Sequence, residues 1–278
     1  MGKSTLVKRI VSGVILIAIV VGCFWLPWGV LALSCLLTVA ISIEFYRLLS
    51  SARYRKEQVL VLLAMLVALV LSFLHLAYGV PVRYLALSLL PMVAAWICML
   101  FDGASDHAFS TEVYFPLLYV LPATLSLLRL AWPGAAFSWR LTLGLMVLIW
   151  INDIGAYCFG MLFGQRANSR KLFPALSPKK SWVGVYGGTV FTFLAAWAVW
   201  ALWGEPVLAL PHWMVLALIV SAIGVPGDLF ESLIKRHAGV KDAGRLIPGH
   251  GGLLDRFDDA LFVFPVATVY LLTLQLIG

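Results

Sequence analysis

Charge is what this sequence has least of. Only 12% of its 278 residues are Asp, Glu, Lys or Arg, roughly half the share usual in soluble domains. Hydrophobic residues reach 62%, and the mean hydropathy is +0.98. They come in long runs without a polar stripe, which excludes the amphipathic helices of a soluble bundle. Short alternating segments are missing too, which excludes a membrane β-barrel. Cysteine is scarce. Cys23, Cys35, Cys98 and Cys158 stand singly inside apolar runs, without metal-ligand spacing, and read as small buried hydrophobes. No Ser–His–Asp or Cys–His arrangement is visible, so no covalent enzyme intermediate is expected. There is no internal repeat and no low-complexity tract.

What the chain has instead is a series of apolar segments of about 20 residues, the length that crosses a bilayer. They lie near 9–26, 29–49, 58–79, 82–101, 113–132, 141–163, 183–203, 208–230 and 258–277. The expected fold is therefore all-α, a polytopic integral membrane protein with about nine transmembrane helices. It forms a single membrane domain over 1–278, with N-terminal spans over about 9–132 and C-terminal catalytic spans and loops over about 141–278. Lys3 to Arg9, followed by an apolar run, has the form of a signal sequence. A second apolar segment follows within a few residues, so the first run reads as an uncleaved span. Trp25, before the Leu26–Gly29 turn, and Trp28, within it, suit a membrane interface.

Lys and Arg set the expected orientation. With the N-terminus cytoplasmic, the cytoplasmic side holds the N-terminal tail, 47–57, 102–112, 164–182 and 231–257. All but three of the 20 basic residues then fall there, the exceptions being Arg83, Arg129 and Arg140. The C-terminus lies on the opposite side. The net charge of +7 is thus a consequence of topology. Basic residues spread over several loops, without a recognition module, exclude a nucleic-acid partner.

Two cytoplasmic loops are richer than topology requires. The first carries Arg166, Arg170 and Lys171, then Ser177-Pro178-Lys179-Lys180-Ser181-Trp182. The second, 231–259, interleaves acids, bases and glycines. At the end of the eighth span, Asp228, Glu231 and Lys235 share one helical face at i, i+3 and i+7, with Ser232 beside them. Pro226-Gly227 just before them predicts a kink or break. At the start of the ninth span, Asp255, Asp258 and Asp259 project from one side of the first turns. Acids there complement the helix dipole. Three within five residues also repel, and a divalent cation would relieve that repulsion. Oxygen ligands without a His or Cys cluster suit Mg²⁺ or Mn²⁺ over Zn²⁺.

Between these acids lies Pro248-Gly249-His250-Gly251-Gly252. Its glycines let the backbone approach a ligand and present bare N–H groups, which beside basic residues suits phosphate. His250 reads either as a phosphate donor or ligand, or as a local structural hydrogen bond. Asn152-Asp153 sits inside the sixth span, where an acid costs about 2.5–3.5 kcal/mol on insertion scales. It reads as an interhelical hydrogen bond, a wall of the active site or a second metal ligand. Cationic and anion-binding groups on one membrane face point to phosphoryl-type chemistry with Mg²⁺, on a phosphorylated lipid or a nucleotide.

The segment 232–258 goes further. Ser232, Lys235-Arg236, Lys241-Asp242-Ala243-Gly244, Ile247-Pro248-Gly249-His250-Gly251-Gly252 and Asp255-Arg256-Phe257-Asp258, in this spacing, resemble the signature of the phosphatidate cytidylyltransferases, the CDP-diacylglycerol synthases of bacterial type. Ser177–Trp182 and Asn152-Asp153 resemble family segments as well. Ala243 stands where many members carry Ser, and Asp259 follows Asp258 where Ser is common. The resemblance implies the reaction of CTP with phosphatidate to give CDP-diacylglycerol and pyrophosphate, in phospholipid biosynthesis. It implies Mg²⁺ dependence, leaves open a second, monovalent cation, and implies a homodimer in the cell membrane with its active site facing the cytoplasm.

The expected site follows residue by residue. Asp228 and Asp255 match the family's metal-binding acids, with Asp258 near them. Lys235, Arg236 and Arg256 would hold phosphates, with Lys179 and Lys180 reaching in from the first loop. Lys241, Gly251 and Gly252 join the phosphate-binding set, Ser232 and His250 are phosphate or nucleotide contacts, and Asp153 lines the site. The attacking phosphate is already anionic, so the task is to hold two polyanions together with cations. An ion-coupled transporter is the alternative reading, since Asp153 and Asp228 could line an ion path. Against it, the polar residues gather at one end of the spans and no repeated half is visible. A CDP-alcohol phosphotransferase would carry a compact aspartate motif that this sequence lacks.

Overall fold

In the computed structural model, the described residues are all except 1–2, 50–53, 102–107, 167–168, 206, 245, 248–250 and 278; for 3–10, 99–101 and 108–111 only the backbone is described. The fold is almost wholly helical, and helix covers all nine of the apolar segments. Among the described residues, six helices are long and apolar enough to cross a membrane: 27–49, 55–78, 112–130, 139–162, 182–203 and 210–237. The chain is a multi-span membrane protein.

The chain divides into two compact units, Met1–Phe137 with Asp242–Arg256, and Ser138–Lys241 with Phe257–Gly278. The first unit holds α1 (Lys3–Phe24), α2 (Pro27–Leu49), α3 (Arg55–Tyr78), α4 (Leu89–Phe101), α5 (Ala108–Tyr119) and α6 (Leu121–Leu130). Pro27 opens α2, where its missing N–H would have had no helical partner in any case. Val30, Ser34, Thr38, Ile41 and Phe45 recur along α2 at helical spacing and are all buried. The remaining sides of this helix are apolar as well, as a lipid-facing surface requires.

One polar pair and one aromatic pair tie α2 to the helices packed on it. Thr38 donates its hydroxyl to Thr124 Oγ1 at 3.1 Å. Phe45 stacks on Phe115 with ring centroids 4.7 Å apart.

Two expected spans are interrupted. A 3₁₀ turn, Val82–Ser88, precedes α4. The span 112–130 carries a one-residue turn at Val120 between α5 and α6, with Pro122 in the first turn of α6. A proline cannot donate to the turn before it and crowds the carbonyl four residues back, so the helix restarts there.

The second unit is built on α7 (Trp139–Leu162), α8 (Trp182–Trp203) and α9 (Leu210–His237), with the greater part of α10 (Leu254–Thr273). Small residues bring α7 and α8 close. A β-carbon on Gly188 would lie 2.9 Å from both the carbonyl and Oδ1 of Asn152. The Thr192 hydroxyl lies 3.1 Å from Asn152 Oδ1 and 2.8 Å from the Gly188 carbonyl of its own helix. Asn152 is therefore the interhelical hydrogen bond that one reading of Asn152-Asp153 expected.

The all-helical expectation meets an exception among the described residues. Lys171–Phe173 (β1) and Ser177–Ser181 (β2) form an antiparallel ribbon in the loop before α8. Ser181 then caps α8, its hydroxyl accepting from Gly184 N–H at 3.3 Å. The kink expected at Pro226-Gly227 is not a break, because α9 runs continuously from Leu210 to His237. A packed helix tolerates the one backbone bond that Pro226 removes.

Candidate active site

The C-terminal part of α9 presents three functional side chains on one face, as the spacing predicts. Asp228, Glu231 of α9 and Asp258 of α10 form a cluster whose carboxylate oxygens lie within 4.8 Å of one another. Close approach of the two helices makes this geometry. A β-carbon on Gly227 would meet the Asp258 carbonyl at 3.0 Å, so only glycine fits without displacement.

Two lysines balance the acids. Lys180 of β2 forms an ion pair with Asp228. Lys235 reaches Glu231 one turn earlier at 2.5 Å, with Glu231 almost fully buried. Burial pulls the Lys180 ammonium below its ordinary value, opposed by the surrounding carboxylates of Asp259, Asp258, Asp153 and Glu231. Asp259 is buried too, its carboxyl within hydrogen-bond reach of Asp153. Its Oδ1 has no hydrogen-bond partner among the described residues.

The ribbon decides which lysine enters. Successive strand residues point to opposite sides. Lys180 turns toward Asp228, while Lys179 is exposed and its backbone carbonyl accepts from Gln165 Nε2 at 3.0 Å. Ser232 is buried on α9. Arg236 is exposed and donates to the Val240 carbonyl at 3.0 Å, which closes the C-terminal end of its own helix. Lys241 is exposed at the end of this unit.

The glycine loop belongs to the first unit. Asp255 organises it. Its Oδ2 accepts from Ala243 N–H at 3.0 Å and from Gly252 N–H at 2.8 Å. The Gly252 amide is thus not bare, as the sequence suggested; it is held by the protein's own carboxylate. Gly251 takes a positive φ of 89°, a region that side chains disfavour. A β-carbon there would also approach Asp255 Oδ2 at 2.8 Å. Arg256 is exposed. His250, with Pro248 and Gly249, lies outside the described residues.

One residue of this loop's setting escaped the sequence reading. Glu44 of α2 is buried and accepts from Leu253 N–H at 3.0 Å and Leu254 N–H at 2.8 Å. The signal was available, since an acid inside an apolar span drew attention to Asp153 and the same argument applied to Glu44.

The donor set of Asp228, Glu231 and Asp258 suits a hard cation: three carboxylates, with no nitrogen or sulfur ligand among them. Lys180 and Lys235 offer the positive charge that bound phosphates need.

Fold and site together define a class, that of multi-span helical membrane proteins with a cluster of carboxylates and lysines on two packed helices and a ribbon. The family model described as the cytidylyltransferase family matches residues 7–274, and this chain belongs to that family. It is 33% identical over 263 residues to a phosphatidate cytidylyltransferase of Pseudomonas aeruginosa, covering 93% of this chain and 94% of that protein. It is 41% identical over 126 residues to a phosphatidate cytidylyltransferase of Staphylococcus saprophyticus. With that of Staphylococcus epidermidis it shares 37% over 163 residues. The staphylococcal matches span 46% and 60% of those proteins' lengths.

Proposed function

We propose that this protein is a phosphatidate cytidylyltransferase, converting CTP and phosphatidate to CDP-diacylglycerol and pyrophosphate for phospholipid synthesis. Its family and its near full-length relative from Pseudomonas support this reading. The observation that carries it is the cluster of Asp228, Glu231 and Asp258 with Lys180 and Lys235 ion-paired to two of its members.

The chemistry asks little of the protein beyond positioning and charge. The phosphate of phosphatidate attacks the α-phosphorus of CTP, a new P–O bond forms, and pyrophosphate leaves with the electrons of the broken one. The attacking oxygen is anionic already, so no strong base is needed. Mg²⁺ would be held by Asp228, Glu231 and Asp258, and when bound it offsets the charge of the triphosphate. Lys180 and Lys235 would exchange their carboxylate partners for phosphate oxygens as substrate enters. Asp153 and Asp259 keep the wall acidic, which disfavours an anion bound without its cation.

By resemblance, Asp255 serves as a second metal acid, with room for a monovalent cation. Arg236, Arg256, Lys179, Lys241, Ser232, His250, Gly251 and Gly252 serve phosphate or nucleotide. The membrane arrangement belongs to the same proposal: nine crossings, the N-terminus and the site on the cytoplasmic face of the cell membrane, and a homodimer. The α1, α4 and α10 segments would supply the three crossings beyond the six long apolar helices.

The decisive experiment is pyrophosphate release by the purified protein. Release from CTP with Mg²⁺ only when phosphatidic acid is supplied is the expected result. Ion flux in proteoliposomes without CTP, and no pyrophosphate with it, would favour the transporter instead.

A further inference from the structure

The start of α10 is held from far away in the chain. Leu253 and Leu254 lie where a helix begins, and amides there have no partner within the helix. Both are satisfied by Glu44, 209 and 210 positions earlier, one by each carboxylate oxygen. A carboxylate is the favoured group at a helix N-terminus. Here it is only 4% exposed, so water contributes little to satisfying it.

The loop is shaped around it. A β-carbon on Gly244 would lie 2.5 Å from Glu44 Oε1, and one on Gly252 would lie 2.5 Å from Oε2. Two glycines eight residues apart thus leave the space that one carboxylate fills. Asp255 adds a second clasp, tying Ala243 to Gly252.

We infer that Glu44 is a positioning residue for the reaction: it fixes the start of α10, the helix that carries Asp255 and Asp258. It touches no reacting atom. It acts through the amides of Leu253 and Leu254, and through them on the carboxylates that follow. The inference rests on the proposed cytidylyl transfer.

The test uses the full-length protein in detergent with CTP, phosphatidic acid and Mg²⁺. Glu44→Ala should lower kcat by about 30-fold or more per folded molecule, the scale of two charge-assisted bonds lost, with KM for phosphatidic acid within about twofold. Hydrogen exchange at Leu253 and Leu254 should quicken while α2 and α3 keep their protection. Glu44→Gln, which keeps an acceptor for one of the two amides and sets its NH2 against the other, should recover only part of the loss. A group that only fills the core would lower the melting temperature and leave kcat of the folded fraction intact. That result, or unchanged exchange at the two amides, overturns the inference.

Should Glu44→Ala fail to fold, Gly244→Ala displaces the carboxylate while keeping its charge, and it should show the same kcat loss; wild-type kcat there also overturns the inference. Wild-type protein without pyrophosphate release would sink the proposed function separately, because the exchange measurement reads the Glu44 clasp without any activity.

Discussion

Lys180 on the β-ribbon is ion-paired to Asp228 in the C-terminal part of α9, joining residues 48 positions apart. Both side chains keep about a third of their surface accessible. At that exposure an ion pair contributes about 0–1 kcal/mol to stability. The pair therefore makes little sense as a structural brace and good sense as a charge waiting for an anionic ligand. Lys180→Ala should leave the melting temperature nearly unchanged and lower kcat/KM by about 100-fold, as loss of a transition-state charge partner does. Turnover within a few-fold of wild type would remove Lys180 from the phosphate site.

Lys235 and Glu231 make the opposite case. Glu231 is 1% exposed, and its partner is 12% exposed. Removing one member of a buried pair leaves a stranded charge and costs about 3–5 kcal/mol. Lys235→Met should accordingly unfold at markedly lower temperature. The double variant Glu231→Gln with Lys235→Met should regain most of that stability, and its pyrophosphate release should stay at background. A double variant as unstable as the single one would argue that the pair is held by more than its own charges.

Cation binding can be read without turnover. Mg²⁺ at a hundred times its dissociation constant should stabilise the folded protein by about 2.7 kcal/mol through mass action. Asp258→Asn should abolish the rise in melting temperature. EDTA should stop pyrophosphate release, and added Mg²⁺ should restore it. Asp255→Asn separates two roles. As a metal acid it should lose the Mg²⁺-dependent rise; as a loop clasp only, it should keep the rise while exchange at Ala243 and Gly252 accelerates.

Orientation is open to chemical labelling. In a variant lacking the four native cysteines, Arg170→Cys should react with an impermeant maleimide only in inverted vesicles. Ala135→Cys, in the connection before α7, should react only from the outside of intact cells. Reaction of both from one side would contradict the proposed topology.

The sequence by itself determined the helices and the family. Helix appears at each expected apolar run, and six of the helices among the described residues are long and apolar enough to cross a membrane, because a chain in lipid must satisfy its backbone internally. It also determined the face shared by Asp228, Glu231 and Lys235, since helical spacing is local. The tertiary structure alone decided which acids meet. Asp258 joins Asp228 and Glu231 because Gly227 lets α10 approach α9, a contact between residues about thirty apart that no local pattern encodes. It decided as well that Lys180 rather than Lys179 faces the site, through a short ribbon in the loop before α8. And it decided that Glu44, more than two hundred residues upstream, holds the glycine loop. Spacing along the chain reports only neighbours on the same element, whereas a buried carboxylate is satisfied by whichever amides the packing brings to it.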